Sequence, residues 1–246
     1  LMIGLATGTW AQIVAHHPDL EHLTIVEINP GYLELIAGYP TVQSLLHNPK
    51  VEILTDDGRR WLNRHPDARF DFIFQNTSQD YRANATNLLS MEFLALVRRH
   101  LQPGGVFYYN TQIARRSMRT ACTAFPYGMR LHNHMAVSER PLDFDPDRLF
   151  ETLARYEIDG QPVIDPDNAR HRSQLRIMRE RMGTLGNGEE GYLEDCESIL
   201  ARTEGFPLVT DDNMATEWVV PPRGEPAFEY LIEQVKDSDM PVWLSR

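Results

Sequence analysis

The sequence has few cysteines, no long apolar run and no cluster of metal ligands, and each absence excludes a class of protein. Cys122 and Cys196 are the only cysteines among 246 residues, so neither a disulfide scaffold nor a structural zinc site is expected, and a reducing compartment fits. No apolar run reaches the roughly 18 residues that a membrane-spanning helix needs, and no secretory signal is visible. The composition therefore predicts a cytoplasmic domain without a bound metal.

Basic residues are fewer than acidic ones, at 24 against 35, which gives a formal net charge of −11. This balance argues against nucleic acid as a partner and is compatible with a cationic substrate, although a solvated acidic surface is the simpler explanation. Residue 1 is Leu, inside an apolar run. A chain that starts in this way is expected to be a piece of a longer protein, so the soluble part of a membrane-anchored protein, with an embedded segment upstream, stays open.

Apolar, β-branched runs alternate with helical patterns over the first half of the chain. Strands are predicted at residues 1–5, 23–30, 51–54, 70–76 and 106–111. Such alternation is typical of parallel βαβ units and predicts an α/β fold with a doubly wound, mostly parallel, Rossmann-like sheet. We expect residues 1–137 to form a nucleoside-binding core, and residues 138–246 to form a helical C-terminal extension that packs on the same core.

The first strand is followed by a turn of small residues that opens a helix. Gly4, Ala6 and Gly8 allow the backbone to approach a ligand, and the helix start presents free N–H groups. Glu27 ends the second strand 19 residues after Gly8, where an acid can bind the ribose hydroxyls of a nucleoside. Asp57 follows the third strand as a candidate helix N-cap. These positions predict a nucleoside-binding edge.

The pattern is looser beyond residue 111. Residues 128–137 are strand-like, residues 158–170 are interpreted as a loop, and a helix is predicted over about 192–203. Residues 171–182 predict a basic helix. Its arginines indicate a solvated face, with an anionic membrane surface as the alternative.

Several segments together resemble the spermidine/spermine synthases, the polyamine aminopropyltransferases. They are IGLATGT, VEINP, DDGRRWL, FDFIFQNTSQD, SMEFLALVRRHLQPGG and YYNTQ, all within residues 1–137. The segment TDDNMATEW is similar to a C-terminal motif of bacterial spermidine-synthase-like domains that are fused to membrane segments. The resemblance implies a sheet of the S-adenosylmethionine-dependent methyltransferase type and a transferase of polyamine biosynthesis.

The resemblance also implies roles for individual residues. Decarboxylated S-adenosylmethionine or S-adenosylmethionine would be a co-substrate, with no permanently bound cofactor. Glu27 would hold the ribose hydroxyls, and Asp57 would take the adenine amino group with Gly58 beside it. The other positions that would contact the nucleoside are Gly4, Ala6, Thr7, Gly8 and Asn76.

Three acids of the family pattern are missing from this sequence. The corresponding positions are Thr7, Asn76 and Gln79, and Asn76 stands where the family has its proton acceptor. An amide does not act as a base at neutral pH. An amine substrate is almost fully protonated at pH 7, so carboxylates are needed to hold it and to take its proton.

Other residues are candidates to replace these acids. Asp80 lies one residue past Gln79, and Asp211 and Asp212 would have to fold back over the site. The alternative interpretation of the Asp211–Asp212 pair is a helix cap or a loop turn. Tyr81, together with Gln79, is a candidate contact for the amine, because an aromatic ring attracts a cation.

Three hypotheses remain. The first is an aminopropyltransferase-type enzyme with altered acids, which binds a nucleoside and a polyamine. The second is an S-adenosylmethionine-dependent methyltransferase, because Thr7 does not repel the methionine carboxylate. The third is a non-catalytic domain of a membrane-associated protein, with a nucleoside-binding or purely structural role. A homodimer is left open, and fold alone does not decide among the three.

Overall fold

The computed structural model describes residues 1–76, 86–111, 114–143, 145–165, 167–183 and 193–213. Its strands are β1 (Met2–Ile3), β2 (Leu23–Glu27), β3 (Val51–Thr55), β4 (Phe70–Gln75), β5 (Leu101–Asn110), β6 (Tyr127–Leu131), β7 (His134–Ser138), β8 (Glu157–Ile158), β9 (Gln161–Pro162) and β10 (Leu193–Asp195). Its helices are α1 (Thr9–Ala15), α2 (Gly31–Ala37), α3 (Gly58–Arg64), α4 (Met91–Arg99), α5 (Arg115–Ala124), α6 (Pro146–Ala154), α7 (Ala169–Gly183) and α8 (Cys196–Arg202). Short 3-10 segments occur at Gln43–His47 and Thr86–Leu88.

Eight strands form one mixed sheet in the order β10-β6-β7-β5-β4-β1-β2-β3, and β8 and β9 form a separate hairpin. The β3, β2, β1 and β4 neighbours pair in parallel. The β5, β7, β6 and β10 neighbours pair antiparallel. This sheet with its helices confirms the predicted α/β fold.

The chain divides into two compact units, which are described separately. The first comprises residues 1–66, 73–76 and 143–186. Its strand β2 is buried along its whole length, as expected for a strand covered on both faces. Ile3 pairs with Val26 and with Gln75, and Glu27 pairs with Thr55. The carboxyl ends of β1 to β4 therefore meet at one edge of the sheet.

The second unit comprises residues 67–72, 77–142 and 187–246. Its aromatic core includes Phe107 and Tyr109, whose rings stack at 4.5 Å between centroids, and Phe93, which meets Phe107 edge-on at 6.3 Å. Phe107 and Tyr109 are fully buried. The helical pattern of residues 90–100 and the apolar run of residues 106–111 account for α4 and for the inner part of β5. The predicted division at residue 137 remains a prediction.

Three secondary-structure predictions are wrong. Residues 158–170, interpreted as a loop, contain strand β9 together with the end of β8 and the start of α7. Residues 128–137 form the hairpin of β6 and β7 rather than one strand, with a turn at His132 and Asn133. His132 adopts the left-handed conformation with φ 54°. Tight turns of this kind usually carry Asn-Gly or Asp-Gly, so this turn gives no clear sequence signal. The predicted helix over 192–203 starts later, since Leu193–Asp195 pair with β6 as β10.

The expectation that the chain has no disulfide is also wrong. Cys122 in α5 and Cys196 at the start of α8 are joined, with their Cα atoms 5.3 Å apart and 74 positions apart in sequence. A separation of this length has no recognisable spacing, so only the tertiary structure reveals the pair. Because the two cysteines are bonded, cysteine usage no longer favours a reducing compartment.

Candidate functional site

The turn of residues 4–8 connects β1 to α1 at the carboxyl edge of the sheet. Gly4 has φ 90°, and a Cβ added there would lie 3.2 Å from the carbonyl oxygen of Asn76. Any side chain would therefore be strained and crowded, so glycine is required. The Gly4 N–H donates to the Val26 carbonyl at 2.9 Å. The turn is thus fixed between the ends of the two strands that flank β1.

Glu27 places a buried carboxylate beneath this turn. Glu27 is 3% exposed. The Oε2 atom accepts from the backbone N–H of Leu5 at 2.6 Å and of Ala6 at 3.2 Å, and Oε1 accepts from Asn29 N at 2.8 Å. An ionised carboxylate can accept about four hydrogen bonds. A further donor would take the remaining position or replace one N–H of the turn.

Asp57 caps helix α3 at the end of β3. Its Oδ1 accepts from the Arg60 N–H at 2.7 Å, as an N-cap side chain is expected to do. The neighbouring Asp56 forms ion pairs with Arg60 and Arg64, and the hydrogen bond from Arg60 lowers the pKa of Asp56. Asp57 is half-buried, so its carboxylate can be reached from this edge.

Gly58 allows helix α3 to approach the first strand. A Cβ added at Gly58 would lie 2.5 Å from Cγ2 of Ile3. The Asp56 N–H donates to the Glu27 carbonyl at 3.1 Å. These contacts bring the start of α3 and the end of β2 to the same edge of the sheet. Glu27 and Asp57, the two acidic residues that the sequence pattern singled out, are therefore neighbours in this unit.

Asn76 and Thr7 complete the described part of the edge. The Asn76 N–H donates to the Ile3 carbonyl at 3.3 Å, which places residue 76 beside the turn. Thr7 is exposed, and its hydroxyl lies 3.5 Å from that of Thr9. Two of the three lost acidic positions therefore adjoin the candidate site. The other candidate site residues near the end of β4 lie outside the described residues. They are Gln79, Asp80 and Tyr81.

Asp211 has structural contacts within the second unit. Ser90 Oγ, at the N-cap of α4, donates to Asp211 Oδ1 at 2.6 Å, and the Asp211 N–H donates to Glu92 Oε2 at 3.0 Å. These contacts fit the interpretation of Asp211 and Asp212 as part of a structural turn. Asp212 is exposed. A catalytic role for either aspartate remains a prediction.

Sequence reasoning missed a polar network behind the turn. Gln12 of α1 donates through Nε2 to Ser44 Oγ at 2.7 Å, and Ser44 Oγ donates to Asp159 Oδ2 at 2.9 Å. A glutamine on the otherwise apolar inner face of α1 was the available signal. Ser44 and Asp159 give none, because they are distant in sequence.

The described part of the chain contains no group of three or more His, Cys, Asp or Glu residues arranged to hold a metal ion. Likewise, none of its helices has the length and hydropathy required to cross a membrane.

Comparison with protein families and curated proteins gives consistent matches. A family model described as the spermine/spermidine synthase domain matches residues 1–124. A probable polyamine aminopropyl transferase of Bifidobacterium longum is 34% identical over 112 residues, which cover 45% of this chain and 23% of that protein. A polyamine aminopropyltransferase of Desulforudis audaxviator is 28% identical over 134 residues, which cover 51% of this chain and 48% of that protein. The matched part thus spans less than half the length of either relative.

Solved structures share the fold. A probable spermidine synthase from Corynebacterium glutamicum superimposes with a TM-score of 0.56 at 16% identity, over 92% of this chain and 75% of that one. Spermidine synthase from Thermotoga maritima gives a TM-score of 0.52 at 17% identity, over 75% and 68%. The family model covers just over half of the 246 residues. The chain therefore belongs to the spermine/spermidine synthase family.

Proposed function

We propose that this spermidine-synthase-like domain binds an adenosyl thionucleoside, of the decarboxylated S-adenosylmethionine or methylthioadenosine type, at the edge formed by the 4–8 turn, Glu27 and Asp57. The observation that carries the proposal is the buried Glu27 carboxylate, which is hydrogen-bonded to the N–H groups of the turn. A ribose offers hydroxyl donors that can replace such partners. Asp57 offers a carboxylate to the adenine amino group.

The solved structures support the choice of ligand class. One structure that shares the fold, with a TM-score of 0.51 at 17% identity over 75% of this chain and 67% of that one, is described as spermidine synthase in complex with the transition-state analogue AdoDATO. The carboxyl edge of a doubly wound sheet is also the general location of nucleotide sites. Both considerations favour an adenosyl ligand over other small molecules.

We further propose that aminopropyl transfer to putrescine is absent or very slow. A protonated amine needs a carboxylate that holds it and accepts its proton, and Thr7 and Asn76 supply none. General-base catalysis typically contributes about 10²–10⁴-fold to a rate. The proposed partner of the site is thus a nucleoside. A polyamine would be the second substrate only if another acid held the amine and accepted its proton.

Calorimetry on the whole chain tests the nucleoside proposal. Methylthioadenosine and decarboxylated S-adenosylmethionine should both bind. A preference for S-adenosylmethionine would favour the methyltransferase hypothesis, which rests on the uncharged Thr7. No binding of any of the three at millimolar concentration would contradict the proposal and favour a non-catalytic domain.

Restoring the missing acids tests the chemistry. A triple variant with Thr7→Asp, Asn76→Asp and Gln79→Asp should gain aminopropyl transfer, measured as methylthioadenosine release with putrescine. Thr7→Ser serves as the uncharged control and should gain nothing. Rapid turnover by the unaltered protein would contradict the proposal, and single Asn substitutions at Asp80, Asp211 and Asp212 would then identify the working carboxylate.

A further inference from the structure

The network behind the turn reaches the candidate site through helix α1. The Gln12 N–H donates to the Gly8 carbonyl at 2.8 Å, in the first turn of α1. The Gln12 side chain donates to Ser44, and Ser44 donates to Asp159. An unbroken series of hydrogen bonds therefore connects the turn of the β8–β9 hairpin to the last residue of the 4–8 turn.

The 3-10 segment 43–47 reinforces this connection by packing. Val42, which precedes it, has its Cβ 3.5 Å from the position that a Cβ on Gly8 would occupy. Ser44, within it, is the middle member of the network. Its single hydroxyl proton goes to Asp159, so its oxygen accepts from Gln12, and each member fixes the orientation of the next. Movement of the hairpin would therefore reach both Gly8 and α1 through this segment.

Packing alone does not explain a glutamine at position 12. Gln12 is 3% exposed, and within the described part of the chain its Oε1 atom is buried without a hydrogen-bond partner. An unpartnered buried acceptor is unfavourable, and an apolar side chain of similar size would avoid that cost. The glutamine supplies what an apolar residue lacks, a donor that ties the first turn of α1 to Ser44.

We propose that Gln12, Ser44 and Asp159 are positioning residues, which hold the 4–8 turn in the geometry that binds the nucleoside. The proposal rests on the function proposed above. The three side chains act through Gly8 and α1 and do not contact the ligand. Docking of the β8–β9 hairpin is thereby coupled to nucleoside affinity.

The second carboxylate oxygen of Asp159, Oδ1, lies 3.6 Å from His16 Nε2 at the end of α1. A pair of substitutions at Asp159 separates the loss of its side-chain contacts from the shape of the hairpin. Asp159 has φ 52°, a conformation that Gly and Asn both tolerate. Asp159→Gly removes the acceptor and should weaken methylthioadenosine binding about threefold to thirtyfold, measured by calorimetry on the whole chain. Asp159→Asn keeps an oxygen acceptor and should bind within about twofold of the unaltered protein.

Gln12→Met separates positioning from stability. This variant should melt at the same temperature as the unaltered protein or higher, because the unpartnered oxygen is gone, yet bind methylthioadenosine more weakly. Arg155→Gln is the matched control. Arg155 holds the segment next to the hairpin through Asp19 at 3.0 Å, but it has no link to Gly8 in the network, so its loss should leave the affinity unchanged.

Amide hydrogen exchange without ligand keeps this proposal distinct from the proposed function. Exchange of the residue 12 N–H should be faster in Asp159→Gly and in Gln12→Met than in the unaltered protein or Arg155→Gln. If no thionucleoside binds the unaltered protein, the proposed function fails, and this exchange alone decides whether the network holds the turn. Unchanged exchange in Asp159→Gly, or an equal loss of affinity in Arg155→Gln, would overturn the positioning role.

Discussion

Two buried carboxylates, one in each unit, are satisfied in opposite ways. Glu27 is 3% exposed and accepts only backbone N–H donors among the described residues. Glu194 is fully buried and accepts from Arg130 Nε at 2.8 Å and from Arg202 Nε at 2.5 Å. A neutral N–H on a turn can be exchanged for another neutral donor. A guanidinium cannot be exchanged without leaving a charge buried and unpaired.

The difference predicts which carboxylate can serve a ligand. Burial alone raises the pKa of Glu194, but hydrogen bonds from Arg202 and Arg130 outweigh it, so that its pKa lies below the ordinary value. Glu194 is thus held ionised and joins β6, β10 and α8 as a structural group. Glu27 has partners that a ribose hydroxyl can imitate, which makes it the candidate for binding.

The largest expected effect is on stability when Glu194 is replaced. Glu194→Gln should lower the free energy of unfolding by about 3–5 kcal/mol, because the buried Arg130 guanidinium and the partly buried Arg202 guanidinium lose their counter-charge. Urea unfolding at pH 7 measures it. Glu197→Gln, an exposed position in the first turn of α8, is the control and should change little. If the free energy of unfolding fell by less than about 0.5 kcal/mol, the cluster formed by Glu194, Arg130 and Arg202 would not be a structural anchor.

The same cluster predicts a pH dependence. Because the pKa of Glu194 is lowered by folding from a reference of 4.5, its stabilisation is present above that reference and is lost as pH falls through the folded value. The stability gap between the unaltered protein and Glu194→Gln should therefore be constant near neutral pH and narrow below about pH 4.5. A gap that widens on acidification would contradict the assigned shift.

The next effect concerns the disulfide of the second unit. Opening a bridge between positions 74 apart should cost about 4 kcal/mol of unfolding free energy on a chain-entropy estimate. Cys122→Ser, compared with the unaltered protein in the presence and absence of reductant, measures it. Methylthioadenosine affinity should be retained, since the candidate site lies in the first unit. Stability that is insensitive to reductant would show that the bridge does not form in solution.

Replacing Glu27 should weaken both nucleoside binding and the stability of the 4–8 turn, because its carboxylate accepts three backbone N–H groups. Each charged hydrogen bond contributes roughly 1.5–3 kcal/mol, so Glu27→Ala should weaken methylthioadenosine binding about tenfold or more by calorimetry. Glu34→Gln, exposed on α2, is the control. If Glu27→Ala lowered only the melting temperature and left the affinity unchanged, Glu27 would be a structural group like Glu194 and would have no role in binding.

The smallest effect is expected at Asp57. Asp57→Ala should cost about 1 kcal/mol of stability through loss of the α3 cap. Asp57→Asn keeps a capping oxygen and should retain stability, yet bind the nucleoside about fivefold more weakly, because a neutral acceptor makes a weaker hydrogen bond than a charged one. Equal affinities of Asp57→Asn and the unaltered protein would remove Asp57 from the site.

Local pattern predicted the elements that build the edge. The runs that became β2, β3 and β4 are β-branched or continuously apolar and bounded by turn residues, and the Asp57 cap forms as its position before a helical pattern indicates. These features depend on neighbours in sequence. The spacing from Gly8 to Glu27 likewise follows from one βαβ unit.

Contacts between distant residues were not predictable in the same way. The Cys122–Cys196 bridge, the pairing of Glu194 with Arg130, and the series from Gln12 to Asp159 each join segments far apart in sequence. Apart from the position of Gln12 on the apolar face of α1, nothing in local composition distinguishes these side chains from solvated ones. Sequence reasoning therefore identified candidate ligand-facing residues and missed those that hold them in place.

The close approach of Gly58 to Ile3 has a consequence for directed evolution of this edge. A side chain at position 58 would require α3 to move away from β1, so a randomised library should keep that codon fixed. Thr7 is exposed on the same edge, so acidic, basic or aromatic replacements there should leave the fold intact. New ligand preferences should therefore emerge from variation at Thr7, while almost every clone altered at Gly58 should be lost from the selected population.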